Sequence, residues 1–369
     1  MFRITRRICA AVLMIASFVW LVAADELKPA RQNLVRYNVD IHQSSVSGLS
    51  AGGFMASQFF VANSGIMSGV GVFAGGPYGC ARGNLWNALQ DCMSAPARLT
   101  DDVLMQLVRQ ARDFSREGRI DSLNNLPNKK IFLYSGTLDK TVDPAVVDKT
   151  REAYLKMGVI PDNIAYKNDL RAGHAMSTLN YGNSCEEISR APWISACNYD
   201  AAGAALQHIY GALHPPRPET GKKGKLIEFA QRNFVEPTDL SPNALAERTS
   251  LNEFGYVFVP QDCQEGKLCR IHVVFHGCRQ VYNKDPQGVD LDAGGTPYGL
   301  QMVLHAGYNE WAAANQIIVL YPQAQKNKTN PNGCFDWWGY LGGGKETYLT
   351  KDAPQMKAVR AMMKALSGK

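Results

Sequence analysis

Several things are missing from this sequence, and each absence removes a class of protein. No two of its nine cysteines stand in a C-x-x-C spacing, which argues against a zinc ribbon. No dense basic stripe interleaved with aromatics occurs, so a net charge of +6 over 369 residues does not point to nucleic acid. Lys222, Lys223 and Lys225 read as a solvated loop. Asp290 and Asp292 offer too few oxygen ligands for calcium, and no other metal site is expected. Beyond residue 22 no apolar run is long enough to cross a bilayer. Internal repeats and low-complexity tracts are absent as well. What remains is a globular composition, long for one domain but within reach of a decorated α/β enzyme.

The N-terminus carries an address. Arg3, Arg6 and Arg7 precede an apolar run over residues 8–22, and Val22, Ala23 and Ala24 supply small residues for cleavage. This pattern predicts a secretory signal peptide over residues 1–24, directing the mature chain out of the cell or into the periplasm. Cys9 lies in that leader. The other cysteines are Cys80, Cys92, Cys185, Cys197, Cys263, Cys269, Cys278 and Cys334, an even set that suits disulfides in an exported chain. Three pairs are sequence neighbours: Cys80 with Cys92, Cys185 with Cys197, and Cys263 with Cys269. Cys278 and Cys334 are left for each other, although eight cysteines allow many other pairings.

The most informative stretch is Gly48-Leu49-Ser50-Ala51-Gly52. It reads G-x-S-x-G between a strand-like run over residues 39–46 and a helix-like run over residues 54–62. Strand, sharp glycine turn and helix form the nucleophile elbow of α/β-hydrolases. The glycines are required because the turn is strained and the serine must project from the sheet edge.

Along the rest of the chain, strand patterns alternate with helix patterns. Strands are predicted near residues 69–76, 130–135, 164–168, 226–229, 255–259, 270–275 and 316–321. Helices are predicted near 101–117, 144–157, 201–213, 307–314 and 353–366. Alternation of this kind predicts a doubly wound, mostly parallel sheet whose ligands gather at one edge. Residues 213–225, rich in proline, glycine and charge, read as a connector. One catalytic domain over residues 25–369 is preferred, because each half alone has too few strands.

A serine hydroxyl needs a base to take its proton, and the base needs an acid to fix its tautomer. In α/β-hydrolases these follow the order Ser, Asp or Glu, His. Ser50, Asp139 and His174 keep that order, and the last two each follow a predicted strand. Asp143 is an alternative acid. His42, His208, His214, His272 and His305 lack a comparable strand-end glycine turn and are expected to be structural or solvated.

Acyl transfer also needs an oxyanion hole. Its first donor would be the N–H of Ala51, just after the nucleophile. The second normally comes from a turn beginning His-Gly after an earlier strand. No such pair precedes Ser50; it stands far downstream as His276-Gly277-Cys278. The chain order is therefore expected to be rotated, with the connector joining what are usually the two ends of the fold. Trp337 and Trp338 would lie in a loop at the same edge, where tryptophans can line an apolar cleft. A Cys278–Cys334 bridge would tie that loop to the oxyanion turn.

Taken together, residues 48–56, 134–139, 173–174, 275–278 and 334–338 resemble the single-domain extracellular polyhydroxybutyrate depolymerases with a circularly permuted α/β-hydrolase fold. The likeness covers nearly all of the mature chain, although feruloyl and acetylxylan esterases share each motif singly. The resemblance implies Ser50, Asp139 and His174 as the triad and the N–H groups of Ala51 and Cys278 as the oxyanion hole. It also implies a polymer-binding crevice lined by Trp337 or Trp338, with His276 as a further candidate. A polyester surface or oligomer is the expected partner of a cofactor-free monomer. The rival expectation is a secreted short-acyl or feruloyl/acetylxylan-type esterase. No separate adsorption domain is expected, so exposed apolar residues around the cleft would have to grip a solid substrate.

Overall fold

A computed structural model describes residues 29–217, 223–281, 300–344 and 346–368. The expected leader, the Asp290 and Asp292 pair, Lys222 and part of the connector lie outside them. Among the described residues the strands are β1 (Ala30–Arg31), β2 (Ser44–Leu49), β3 (Met67–Phe73), β4 (Lys130–Tyr134), β5 (Ile164–Lys167), β6 (Met176–Thr178), β7 (Asn183–Ser184), β8 (Ile194–Ala196), β9 (Gly224–Ala230), β10 (Phe254–Pro260), β11 (Arg270–Phe275) and β12 (Ile317–Tyr321). The main sheet runs β1-β9-β10-β12-β11-β2-β3-β4-β5. From β12 to β5 every neighbour is parallel; β10 is antiparallel to both β9 and β12. The expected mostly parallel sheet is therefore present.

Side chains of the central strands alternate between two cores, as the two-residue period of a strand requires. Val70, Val72, Ile131, Leu133, Ile271 and Val273 face one core. There they meet Met55 and Phe59 of helix Ala51–Ala62, Val108 of helix Asp101–Arg116, and Met356, Val359 and Met363 of helix Pro354–Ser367. Phe73, Phe132, Tyr134, Val274 and Val319 face the other core, against helix Ala201–Tyr210 and Trp311. Helix Asp101–Arg116 shows how local chemistry sets an element. Thr100 caps it by accepting from Val103 N–H, two aspartates begin it, and Leu104, Leu107, Val108, Ala111 and Phe114 form its buried stripe.

The predicted strand at residues 39–46 begins late. Asp40 accepts from His42 N–H and caps a short 3-10 turn over Ile41–Gln43, so β2 starts only at Ser44. All six residues of β2 are buried, including Ser44, Ser45 and Ser47. His272 on β11 accounts for two of them: its Nδ1 lies 2.6 Å from Ser45 Oγ and its Nε2 2.8 Å from Ser47 Oγ. Burial lowers the pKa of this imidazole to about 3, so it stays neutral between the two hydroxyls. The small sheet β6-β8-β7 has no counterpart in the predicted strands. All four disulfides expected from the spacing are formed: Cys80–Cys92, Cys185–Cys197, Cys263–Cys269 and Cys278–Cys334.

Candidate active site

Ser50 stands between β2 and helix Ala51–Ala62 with φ +58° and ψ −123°, in backbone that non-glycine residues rarely adopt. The flanking glycines allow it. A Cβ on Gly48 would come within 2.2 Å of Gly52 O, and one on Gly52 within 2.1 Å of Phe275 O. The elbow therefore packs backbone to backbone against the end of β11. Gly277, two residues past that strand, sits where a Cβ would lie 3.3 Å from Ser50 Cβ.

The acid and base come from loops after β4 and β5. Leu138 N–H donates to Ala172 O at 3.0 Å and Thr137 N–H to Leu170 O at 2.9 Å, laying one loop along the other. His174 Nδ1 then lies 2.7 Å from Asp139 Oδ2. A carboxylate can only accept, so Nδ1 carries the proton and Nε2 is the basic nitrogen. Asp139 Oδ1 accepts from the N–H groups of Thr141 and Val142 at 2.8 and 3.0 Å. The backbone of His174 is held from behind, where its N–H donates to Ile188 O at 2.7 Å. Asp143 points elsewhere: it caps helix Pro144–Lys156 by accepting from Ala145 N–H.

Ser50 and His174 line one pocket of about 430 Å³, with Cys278, Trp337 and Trp338 in the same wall. Among the described residues, neither Ala51 N–H nor Cys278 N–H has a protein acceptor. Both stand beside Ser50, the first at a helix N-terminus where the dipole favours negative charge. Trp337 is buried and stacks on Phe54 at 4.2 Å between ring centroids; Trp338 meets it edge-on at 5.5 Å.

The expected substrate-binding residue His276 does not line the pocket. His276 is buried, and both its ring nitrogens are taken by backbone. Nε2 accepts from Ala324 N–H at 3.0 Å, so Nδ1 carries the proton and donates to Gly277 O at 2.7 Å. Burial lowers its pKa to about 4. The ring clamps the His-Gly-Cys turn to the segment after β12.

Other pocket residues went unnoticed in the sequence. Gln280 bridges two loops: its Oε1 accepts from Gly277 N–H at 2.7 Å and its Nε2 donates to Pro192 O at 2.8 Å. Leu85 and Leu89, from the short helix Leu85–Leu89, form an apolar rim with Met93. Gln280 lies just after the His-Gly-Cys turn, where a polar side chain could have been suspected of serving it. Leu85 and Leu89 lie on a helix of five residues, too short for a periodicity to mark them.

With this geometry in view, comparison with known proteins is informative. No protein-family model matches the chain. A poly(3-hydroxybutyrate) depolymerase of Delftia acidovorans is 40% identical over 341 residues, 92% of this chain but 62% of that protein. This chain thus spans less than two thirds of that relative. A polyhydroxybutyrate depolymerase of Talaromyces funiculosus is 36% identical over 346 residues, 89% of this chain and 91% of its own length. Two solved structures superpose with a TM-score of 0.75 at 32% identity, covering 91% of this chain and 99% of theirs. One is the PHB depolymerase from Penicillium funiculosum, and the other a serine-to-alanine PHB depolymerase complexed with an R3HB trimer. With a likeness that runs through both halves of the fold, the chain belongs to the polyhydroxybutyrate depolymerase family.

Proposed function

We propose that this protein is a secreted serine esterase that cleaves poly(3-hydroxybutyrate)-type polyesters to hydroxyacyl oligomers or monomers. The observation that carries the reading is Ser50 sharing a pocket with His174, whose Nδ1 is held by Asp139, next to two amides that have no protein acceptor among the described residues. Ser50 Oγ attacks the ester carbonyl while His174 Nε2 takes its proton. The Ala51 and Cys278 N–H groups stabilise the oxyanion. His174 then protonates the departing alcohol, and a water activated by the same nitrogen releases the acyl group. Asp139 holds the imidazole in the required tautomer and stabilises its cation. Trp337 and Trp338 supply apolar wall for the polymer chain. Four disulfides support export to an oxidising compartment.

The same reading takes the chain order as rotated. Counted from the connector, β11 is the third strand, the place from which α/β-hydrolases draw their second oxyanion donor. The support is that β11 pairs with the elbow strand β2 although it follows it by more than half the chain.

The test is clearing of a turbid polyhydroxybutyrate suspension, set beside release of ferulate or acetate from model esters. Clearing that is lost in Ser50→Ala supports the reading. Brisk turnover of small esters with no clearing would move the protein to the short-acyl esterases.

A further inference from the structure

The pocket contains a charge that cleavage of a neutral polyester does not require. Among the described residues that line it, Arg279 is the one permanently charged side chain. It directly follows Cys278, in the turn whose Gly277 packs against Ser50. Its backbone is tightly set, with φ +66° and its N–H donating to Asn332 O at 2.7 Å. Glycine or asparagine would meet that left-handed geometry with less strain, so the turn itself does not call for arginine. The guanidinium is exposed and lies 5.5 Å from the Trp193 ring centroid. Among the described residues, no carboxylate pairs with it. The side chain is thus a cation held at the pocket wall, one residue from the Cys278 amide, with an aromatic face but no carboxylate as partner among the described residues.

Polyester chemistry supplies an anion at a defined place. Each ester joins the carbonyl of one unit to the secondary alcohol of the next. When Ser50 attacks, a bond forms from its oxygen to that carbonyl carbon. The carbon–oxygen bond to the alcohol breaks, and the alcohol leaves with the proton held by His174. The free carboxyl end of an oligomer is always on the alcohol fragment. At the last ester only a CH–CH2 unit separates the leaving oxygen from that carboxylate. A guanidinium beside the oxyanion turn suits such a group, because its planar fork pairs both carboxylate oxygens.

We propose that Arg279 binds the carboxylate terminus of hydroxyalkanoate oligomers, so that the site favours the terminal ester of a short chain. This rests on the esterase reading above. The test compares a hydroxybutyrate trimer as free acid with the same trimer as its methyl ester, both in solution at low salt. In the wild type kcat/KM should favour the acid by about tenfold. Arg279→Gln should bring the ratio close to unity, and Arg279→Lys should keep part of it, since an ammonium retains charge without the fork. Damage to the pocket in general affects both trimers and cancels in the ratio. Added salt should erode the wild-type preference, a measurement that needs no variant. Equal rates on acid and methyl ester in the wild type, or an unchanged ratio in Arg279→Gln, overturn the proposal and leave the esterase standing. Failure of the wild type to cleave either trimer overturns the esterase reading and takes this proposal with it.

Discussion

His174 Nδ1 donates to Asp139 Oδ2 at 2.7 Å, and the Asp139 side chain is wholly shielded from solvent. Asparagine at 139 would offer the ring an amide N–H as readily as an oxygen, and the imidazole would lose the tautomer that makes Nε2 basic. Asp139→Asn should therefore lower kcat by at least about a hundredfold. Asp143→Ala should keep its activity and lose about 1 kcal/mol of stability, the usual worth of a helix cap. Steady-state kinetics on a soluble ester separate the two. An active Asp139→Asn would remove the acid role from that residue.

Gly52 makes a different prediction. A methyl group there meets Phe275 O at 2.1 Å and His276 O at 2.6 Å, both backbone atoms that cannot swing away. Gly52→Ala must push helix Ala51–Ala62 off the end of β11, separating the Ala51 and Cys278 amides. Activity should fall at least about a hundredfold, as for loss of an oxyanion donor, even in the fraction that folds. Wild-type turnover by a soluble Gly52→Ala protein would mean that the elbow and the His-Gly turn are not pressed together.

The comparison between sequence and structure follows the range of the forces involved. The elbow was legible because close backbone approach requires glycine at both 48 and 52, and both stand within five residues of sequence even though the neighbour of Gly52 is the distant Phe275. The strands β3 and β4 were legible as short apolar runs near residues 69–76 and 130–135. By contrast, β2 spells Ser-Ser-Val-Ser-Gly-Leu and gives little sign of full burial. The Ser45 and Ser47 hydroxyls are satisfied by His272, more than two hundred residues away, and no local pattern reports that. His276 was misread for the same reason. Its partner Ala324 N–H comes from beyond the neighbouring strand, so a ring that clamps backbone looked like one that faces substrate.

Asp336 gives a pH signature. It is buried at the start of the tryptophan loop, where its oxygens accept from the N–H groups of Gly339, Tyr340 and Leu341. Burial outweighs those donors and pushes its pKa up to about 6. A raised carboxyl pKa means that the fold prefers the protonated form. The stability it contributes is full below about pH 4 and is lost as pH rises through about 6, up to about 3 kcal/mol in all. Many carboxylates titrate in this window, so the measurement is a difference. The unfolding free energy of the wild type minus that of Asp336→Asn should decline from pH 4 to pH 7. A difference independent of pH would show that this carboxyl is not perturbed.

The Cys278–Cys334 bond ties the oxyanion turn to the loop bearing Trp337 and Trp338 across 56 residues. A closed loop of that length is worth about 4 kcal/mol in the chain-entropy account. Replacing both cysteines by alanine should lower stability toward that limit. It should also lower kcat in the protein that remains folded, because the Cys278 amide loses its anchor. Denaturant unfolding and kinetics at a temperature well below the transition report the two effects separately. A stability loss with unchanged kcat would make the bond a staple of the fold alone.

The rim of the pocket offers a test on solid substrate. Leu85, Trp86 and Leu89 are 51%, 62% and 45% exposed, an unusual cost for apolar side chains on one short helix. The helix is firmly seated. Asn84 caps it by accepting from Trp86 and Asn87 N–H, Asp91 pairs with Arg82 and Arg98 just after it, and the Cys80–Cys92 bond closes its base. A rigid apolar ridge beside the cleft suits contact with a polyester surface. Covering the Trp86 ring is worth on the order of 2 kcal/mol at the usual area coefficient. Trp86→Ala should accordingly weaken adsorption to polymer granules about tenfold or more and slow clearing of the suspension. Cleavage of a soluble trimer should change by less than about twofold, since Trp86 is not among the residues that line the pocket. Equal losses on granules and on the trimer would instead indicate that the substitution has disturbed Leu85 and Leu89 and, through them, the cleft itself.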